Sequence, residues 1–263
     1  MQLQSAKPSP GLERWIHSFR QYTFTADDRA HFTSLPGTGA ELWLLNAGHL
    51  NLENQPLSDG LLCLRSRRFE FKQAGLRVFS IRFRAGSLPF FAQRPLSELV
   101  DHFTPLDRQW DTASVRQLNQ VHRSPYFAEQ CLLAERFLLS HQSAGARLEP
   151  MQQLASVMYE QSADFALTDY AEQLQRDRSY LSRQFHQIQG TSAKHFHRLC
   201  RFERFLREAL FAAKPSLARL ALDHGYYDQA HMQHEVRQLS QRSPGQLLAQ
   251  DAMRLFYSPR NNP

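Results

Sequence analysis

No stretch of the chain approaches ~18 uninterrupted apolar residues, so the sequence excludes a membrane-spanning helix. Cysteine is scarce. The three present (Cys63, Cys131 and Cys200) are far apart and odd in number, which excludes a disulfide framework and any C-x-x-C metal or redox site. Free thiols in a reducing compartment are the expectation. G-x-S-x-G, H-E-x-x-H and a Gly-rich phosphate loop are all missing, so no catalytic residue and no cofactor is assigned. The first ten residues, MQLQSAKPSP, lack the charged and then apolar run of a secretory leader, and the expectation is a soluble cytoplasmic chain with no membrane partner. No low-complexity tract occurs. What remains is 263 residues with 42% hydrophobic and 21% charged side chains, enough for a real core in one large domain or two modest ones.

Charge is unevenly placed. Residues 165–263 carry 14 Lys+Arg against 9 Asp+Glu, whereas residues 1–164 hold 17 against 16. Arginine dominates the basic end, where Lys194 and Lys214 are the only lysines. A positive C-terminal third fits a polyanion partner, since phosphate neutralisation with counterion release supplies most sequence-independent DNA affinity. A solvated basic face accounts equally well for the charge alone.

The first ~110 residues carry strand periodicity. In LRVFSIRFRAG, Phe79, Ile81 and Phe83 alternate with Ser80, Arg82 and Arg84, the pattern of a strand buried on one face; Phe69 and Phe71 alternate likewise. ELWLLNAGHLNLENQPLSDG predicts a strand, a turn at Asn46–Gly48 and a return strand ended at Pro56 and Gly60, with Leu42–Leu45 covered on both faces. The aromatics here could line a small-molecule cavity but are expected mostly in the core, and Arg65, Arg67 and Arg68 could meet an acidic ligand but are expected as charges on an exposed edge. PLSELVDHF predicts a short helix with Leu96, Leu99 and Val100 on one side. Residues 112–142 have helical spacing, with Leu132 among the apolar positions; HQSAGA is a turn, 151–161 another amphipathic helix, and 161–164 a linker.

The second half repeats itself. Thr168 is a candidate N-cap for a helix whose inward residues are Ala171 and Leu174. Gln175-Arg176-Asp177 break it. A longer helix follows, with Leu181, Phe185 and Ile188 inward and Gly190 closing it. Its other face shows Arg178, Ser179, Ser182, Arg183 and His186. Short helix, tight turn and longer helix with a polar N-terminal half form the helix-turn-helix pattern. Arginine matches guanine O6 and N7 bidentately, and Ser and His donate to base edges or phosphates.

The unit then recurs. Ser216 caps SLARLALDHG, and after Tyr226 and Tyr227, Asp228 caps QAHMQHEVRQLS, with Met232, Val236 and Leu239 inward and Gln229, Ala230, Gln233, His234 and Arg237 outward. Between the units, SAKHFHRLCRFERFLREALFA predicts one long helix with Phe196, Leu199, Phe202, Leu206, Ala209 and Leu210 as its apolar stripe. Arg201, mid-way along it and away from both recognition-helix N-termini, is expected at most to touch the DNA backbone or to balance the Glu203–Glu208 charge. Twenty helical residues span roughly 30 Å, close to the ~34 Å between major-groove faces on one side of DNA.

On these residues the C-terminal region resembles AraC/XylS-type transcriptional regulators. The resemblance rests on Asp177 through Phe185, the Gly190-x-Ser192 junction, Ala221-x-x-x-Gly225 through Met232, and Ser243-Pro244. It implies base readout from the N-terminal halves of two recognition helices: Arg178, Ser179, Ser182 and Arg183 in the first, and Gln229, Ala230, Gln233 and His234 in the second. Departures from the family pattern are Gln175 and Arg176 in place of Gly and an apolar residue, His234 for Arg, Val236 for Phe, and Gln241 for Gly. If the first turn needs positive φ, Gln175 costs of order 1 kcal/mol. The first unit is therefore expected to make the stronger base contacts. IRFRAG, PLSELVD and PLDRQW are similar to a small β-rich N-terminal domain found fused to such regions.

The expected fold class is α+β. A β-rich barrel or sandwich-like sensory domain spans 1–110, a helical extension and linker spans 111–164, and an all-α domain of two helix-turn-helix units joined by a long helix spans 165–263. The expected function is a sequence-specific DNA-binding transcriptional regulator. Its implied partner is double-stranded DNA, with a small-molecule effector at the N-terminal domain and a homodimer both admitted. Two alternatives stand beside it: a protein-interaction regulator with a degenerate helix-turn-helix region, and a small-molecule binding protein whose C-terminal domain dimerises. His195 and His197, two apart on a helix, point to different sides and cannot share a metal; His231 and His234 have no Cys or carboxylate pair at ligand spacing. Asp27–Asp28 are expected in a solvated loop.

Overall fold

The computed structural model describes residues 1–25, 31–143, 145–213 and 215–249; Asp27–Asp28 lie outside them. The strands are β1 (Gln2–Ala6), β2 (Ile16–Thr23), β3 (His31–Ser34), β4 (Glu41–Leu52), β5 (Gln55–Pro56), β6 (Gly60–Leu62), β7 (Phe69–Phe83) and β8 (Phe103–Pro105). They pair antiparallel in the order β1-β2-β7-β4-β6-β8, with β3 also on β7 and β5 on β4. The helices are α1 (Thr112–Arg123), α2 (Phe127–His141), α3 (Leu148–Glu160), α4 (Leu167–Gln173), α5 (Arg178–Gln189), α6 (Ala193–Phe211), α7 (Leu217–Asp223), α8 (Gln229–Ser240) and α9 (Pro244–Leu248). The chain has the α+β architecture expected of it, an antiparallel sheet followed by helices. Among the described residues no helix is long and apolar enough to cross a membrane.

Several local expectations are corrected. β4 runs straight through Asn46–Gly48: the three residues are absorbed as register shifts between Leu45 and His49, with Gly48 at φ +78°. The hairpin turn falls instead at Glu53 and Asn54, both with positive φ, the backbone that a two-residue primed turn requires. Residues 96–98 form one 3-10 turn rather than an α-helix, though Leu96 and Leu99 are buried as expected. Arg65 is buried, donating to the carbonyls of Leu35 and Gly39. Leu132 is 60% exposed on α2.

The alternation in β7 is real, but its polar face is also covered. Ser80 is fully buried, and Arg82 reaches Glu41 at 2.9 Å. Burial alone would push the Glu41 carboxyl up, yet Arg82, Arg65 and the Trp43 indole N–H, 2.9 Å away, outweigh it and hold the group below its ordinary range. One face of the sheet carries a cluster of stacked rings, Phe24, Phe32, Trp43, Phe69 and Phe71 among them. The other face, with Phe19, Leu42, Leu44, Phe79 and Ile81, opens into a core that continues without a break through Leu154 and Met158 of α3 into Leu181, Phe185, Phe196 and Phe202.

Candidate nucleic-acid interface

In the first unit Asp177 caps α5, its carboxylate accepting from the Tyr180 N–H at 2.7 Å. Leu181 and Phe185 face inward, and Phe185 meets Phe196 of α6 edge-on at 5.2 Å. Helical geometry then turns Arg178, Ser179, Arg183 and His186 into solvent, with Ser182 half-buried between them. Arg178 and Arg183 have no ion-pair partner among the described residues, so both guanidiniums are free to meet phosphate or a base edge. Tyr180, 41% exposed, stands at the same end, and nothing in the apolar periodicity marked it. Thr168 is not a cap: α4 starts at Leu167, and the Thr168 hydroxyl bonds Asp169. Leu174 is 45% exposed rather than inward.

Gln175 adopts φ +50° and Gln241 φ +57°, so the two positions where the sequence departs from a family glycine are both in the left-handed region. Gln175 corresponds to Gly225, at φ +71°, in the second unit. The turns keep their geometry, at a cost of about 1 kcal/mol each.

In the second unit Ser216 caps α7 and Asp228 caps α8, as the sequence predicts. Ala230 and His234 are exposed, Gln229 and Gln233 half-buried, and Met232, Val236 and Leu239 buried. Tyr227, part of the motif that carries the resemblance but given no role there, is 86% exposed beside the N-terminus of α8. The Tyr227 N–H donates to His231 Nδ1 at 3.2 Å.

Both units hang on α6. Its Ser192 cap follows Gly190, whose φ of +73° and close approach to the Leu96 backbone exclude any side chain there. Arg201 does not balance Glu203–Glu208. It spans to α8, placing Nη2 3.1 Å from both oxygens of the buried Glu235, and its Nη1 donates to the Gly225 carbonyl. Arg198 joins the same carboxylate at 3.0 Å. These bonds tie α8 to α6, so the placement of the second recognition helix depends on Arg198 and Arg201 as well as on the length of α6.

The helices also meet the sheet. Gln189 of α5 donates to the Gly86 carbonyl at 3.0 Å, and Glu203 of α6 accepts from Thr38. Beside that contact lies a cavity of about 790 Å³ lined from both sides, by His17, Arg82 and Arg84 on the sheet and by Arg204, Arg207 and Phe211 on α6. Burial, then the charges of Arg82, Arg20, Arg207 and Arg84, push the His17 imidazole down to about 2.

Two capped helix-turn-helix units on a shared spine, each turning basic and amide side chains outward, define a nucleic-acid-binding module. Residues 170–250 match a family model described as a helix-turn-helix domain, and this region is of the AraC type, a DNA-binding domain of transcription regulators. Among solved structures, the C-terminal domain of AraT, a response regulator from Geobacillus stearothermophilus, is 25% identical over 37% of this chain and 82% of its own, at a TM-score of 0.35. ToxT from Vibrio cholerae is 11% identical over 94% of this chain and 96% of its own, at a TM-score of 0.48. ToxT with a bound unsaturated fatty acid is 12% identical over 94% and 93%, at 0.45. No curated protein matches the chain.

Proposed function

We propose that this protein is a cytoplasmic transcription regulator that recognises a specific duplex site. The outward N-terminal halves of α5 (Arg178, Ser179, Ser182, Arg183, with His186 behind them) and α8 (Gln229, Ala230, Gln233, His234) would lie in the major groove. The observation that carries this is the first unit: two arginines with no ion-pair partner among the described residues, on one exposed, Asp-capped helix inside a region matching a helix-turn-helix domain. That Gln175 and Gln241 still reach the left-handed turn argues against a degenerate unit. Domain limits at 110 and 164 belong to the same proposal. No catalytic role is assigned to any residue.

The cavity between sheet and α6 supports a small-molecule effector, since its volume suits a drug-sized ligand and both halves of the chain line it. Leu132 and Leu139, exposed seven residues apart on α2, support a homodimer, which sedimentation equilibrium would test. The test of DNA binding is a salt titration of the full chain on random duplex, followed by selection from a random library. Affinity must fall steeply with salt, and an enriched site must emerge. Absence of binding at low salt overturns the proposal.

A further inference from the structure

A chain of hydrogen bonds runs from the connecting helix to the second recognition helix. Glu235, buried on α8, fixes Arg198 of α6 through a 3.0 Å bond to its Nε. The Nη2 of that guanidinium donates to Gln238 Oε1 at 3.0 Å. An arginine can only donate, so the amide oxygen of Gln238 must face it and the amide NH2 must face away. On that side, 2.8 Å from Gln238 Nε2, lies His234 Nε2. Since Gln238 donates there, His234 Nε2 must accept, and in a neutral imidazole the proton then belongs on Nδ1. Nδ1 has no partner among the described residues, and the side chain is exposed.

We infer that Arg198 and Gln238 are positioning residues that hold His234 as its Nδ1–H tautomer, making it a donor toward DNA and confining it to acceptor base edges. The inference rests on the proposed function for its DNA half. In the major groove the acceptors are purine N7, guanine O6 and thymine O4, whereas cytosine N4 and adenine N6 are donors. A free neutral histidine switches tautomers and serves either kind of edge. Held by Gln238, it serves one. His231 is fixed by the same logic: its Nδ1 accepts the Tyr227 backbone N–H, which leaves the ring proton on Nε2.

Two substitutions separate this from a structural role. Gln238→Leu keeps the volume and removes both bonds. Gln238→Glu keeps both bonds but can only accept, so it forces a proton onto His234 Nε2. The full chain, labelled with 15N histidine and held at a pH well above the histidine range, is read by long-range 1H–15N correlation, with His234→Gln identifying the signal. The expected result is an Nδ1–H pattern in the parent, a tautomer mixture in Gln238→Leu and in Arg198→Met, and an Nε2–H pattern in Gln238→Glu. Library selection on the same proteins should show preference for an acceptor edge at one base position falling about three- to tenfold in Gln238→Leu, the worth of one hydrogen bond. An Nε2–H pattern in the parent, or one unchanged by these substitutions, overturns the inference. So does an equal loss of affinity on all duplexes with preference intact. If the parent shows the Nδ1–H pattern but binds no duplex, the relay stands and the DNA-binding assignment has failed.

Discussion

The carboxylate of Glu203, midway along α6, accepts both the backbone N–H of Thr38 at 3.1 Å and its hydroxyl at 2.8 Å. All of these groups are buried. One side chain from the DNA-binding half thus satisfies a loop of the sheet, next to the cavity that both halves line.

Removing that contact should loosen the seam without touching the recognition helices. Glu203→Ala should cost about 2–3 kcal/mol, because it strands two buried donors and a charged acceptor is lost. Thr38→Val should cost about 1–2 kcal/mol, and the double variant less than the sum. Denaturant unfolding of the three variants gives the coupling. Additive losses would mean that the two residues do not act through each other.

The two left-handed glutamines should be replaceable with profit. Gln175→Gly and Gln241→Gly each remove the strain of a side chain at positive φ but add backbone entropy to the unfolded chain. The net gain should be about 0.5–1 kcal/mol apiece, read as a raised denaturation midpoint at unchanged slope. A loss at either site would show that the glutamine side chain makes a contribution of its own.

Arg183 and Arg201 should fail in different assays. Arg183→Ala should leave folding intact and cost about 1–3 kcal/mol on the preferred duplex relative to a scrambled one. Arg201→Ala deprives buried Glu235 of one of its two cations and should destabilise the fold by about 2–3 kcal/mol. Thermal unfolding together with binding to both duplexes distinguishes them.

Acid should unfold the protein through its histidines. His17 is held neutral down to about 2, and burial also lowers His195, His197 and His224. Below the ordinary histidine range near 6.5 the unfolded chain takes up protons that the folded chain refuses, so stability falls as pH falls and is regained above that range. His17→Gln should flatten the slope by up to about 1.4 kcal/mol per pH unit between pH ~6 and ~4. An unchanged slope would show that His17 is protonated in the native protein.

Much of the second half was legible because capping and 3.6-residue spacing are local: Ser216 and Asp228 cap their helices as read, and Leu181, Phe185, Met232, Val236 and Leu239 are buried. Thr168 and Leu174 misled, and the caps at Asp177, Ser192 and Ser243 went unread. The left-handed turn at Gln175 was legible as a departure from the glycine pattern. The partners of Arg65, Arg198, Arg201 and Glu203 were not, since each bond spans 24 residues or more and depends on packing. Ser80 and Arg82 misled for a related reason: alternation reports two faces, and only the tertiary fold covers the polar one. The β4 bulge misled because Asn-Ala-Gly serves a bulge as readily as a turn.

The uninterrupted core bears on cutting the chain. α3 lies against both α5 and α6, and Met151, Leu154, Ala155 and Met158 of α3 are buried in the core that those helices share. Cleavage between α3 and α4 would peel that covering away and leave the basic half with a greasy flank. Such a fragment would crowd onto its own kind before it met any duplex, and turbidity rather than affinity would be the first thing it displayed.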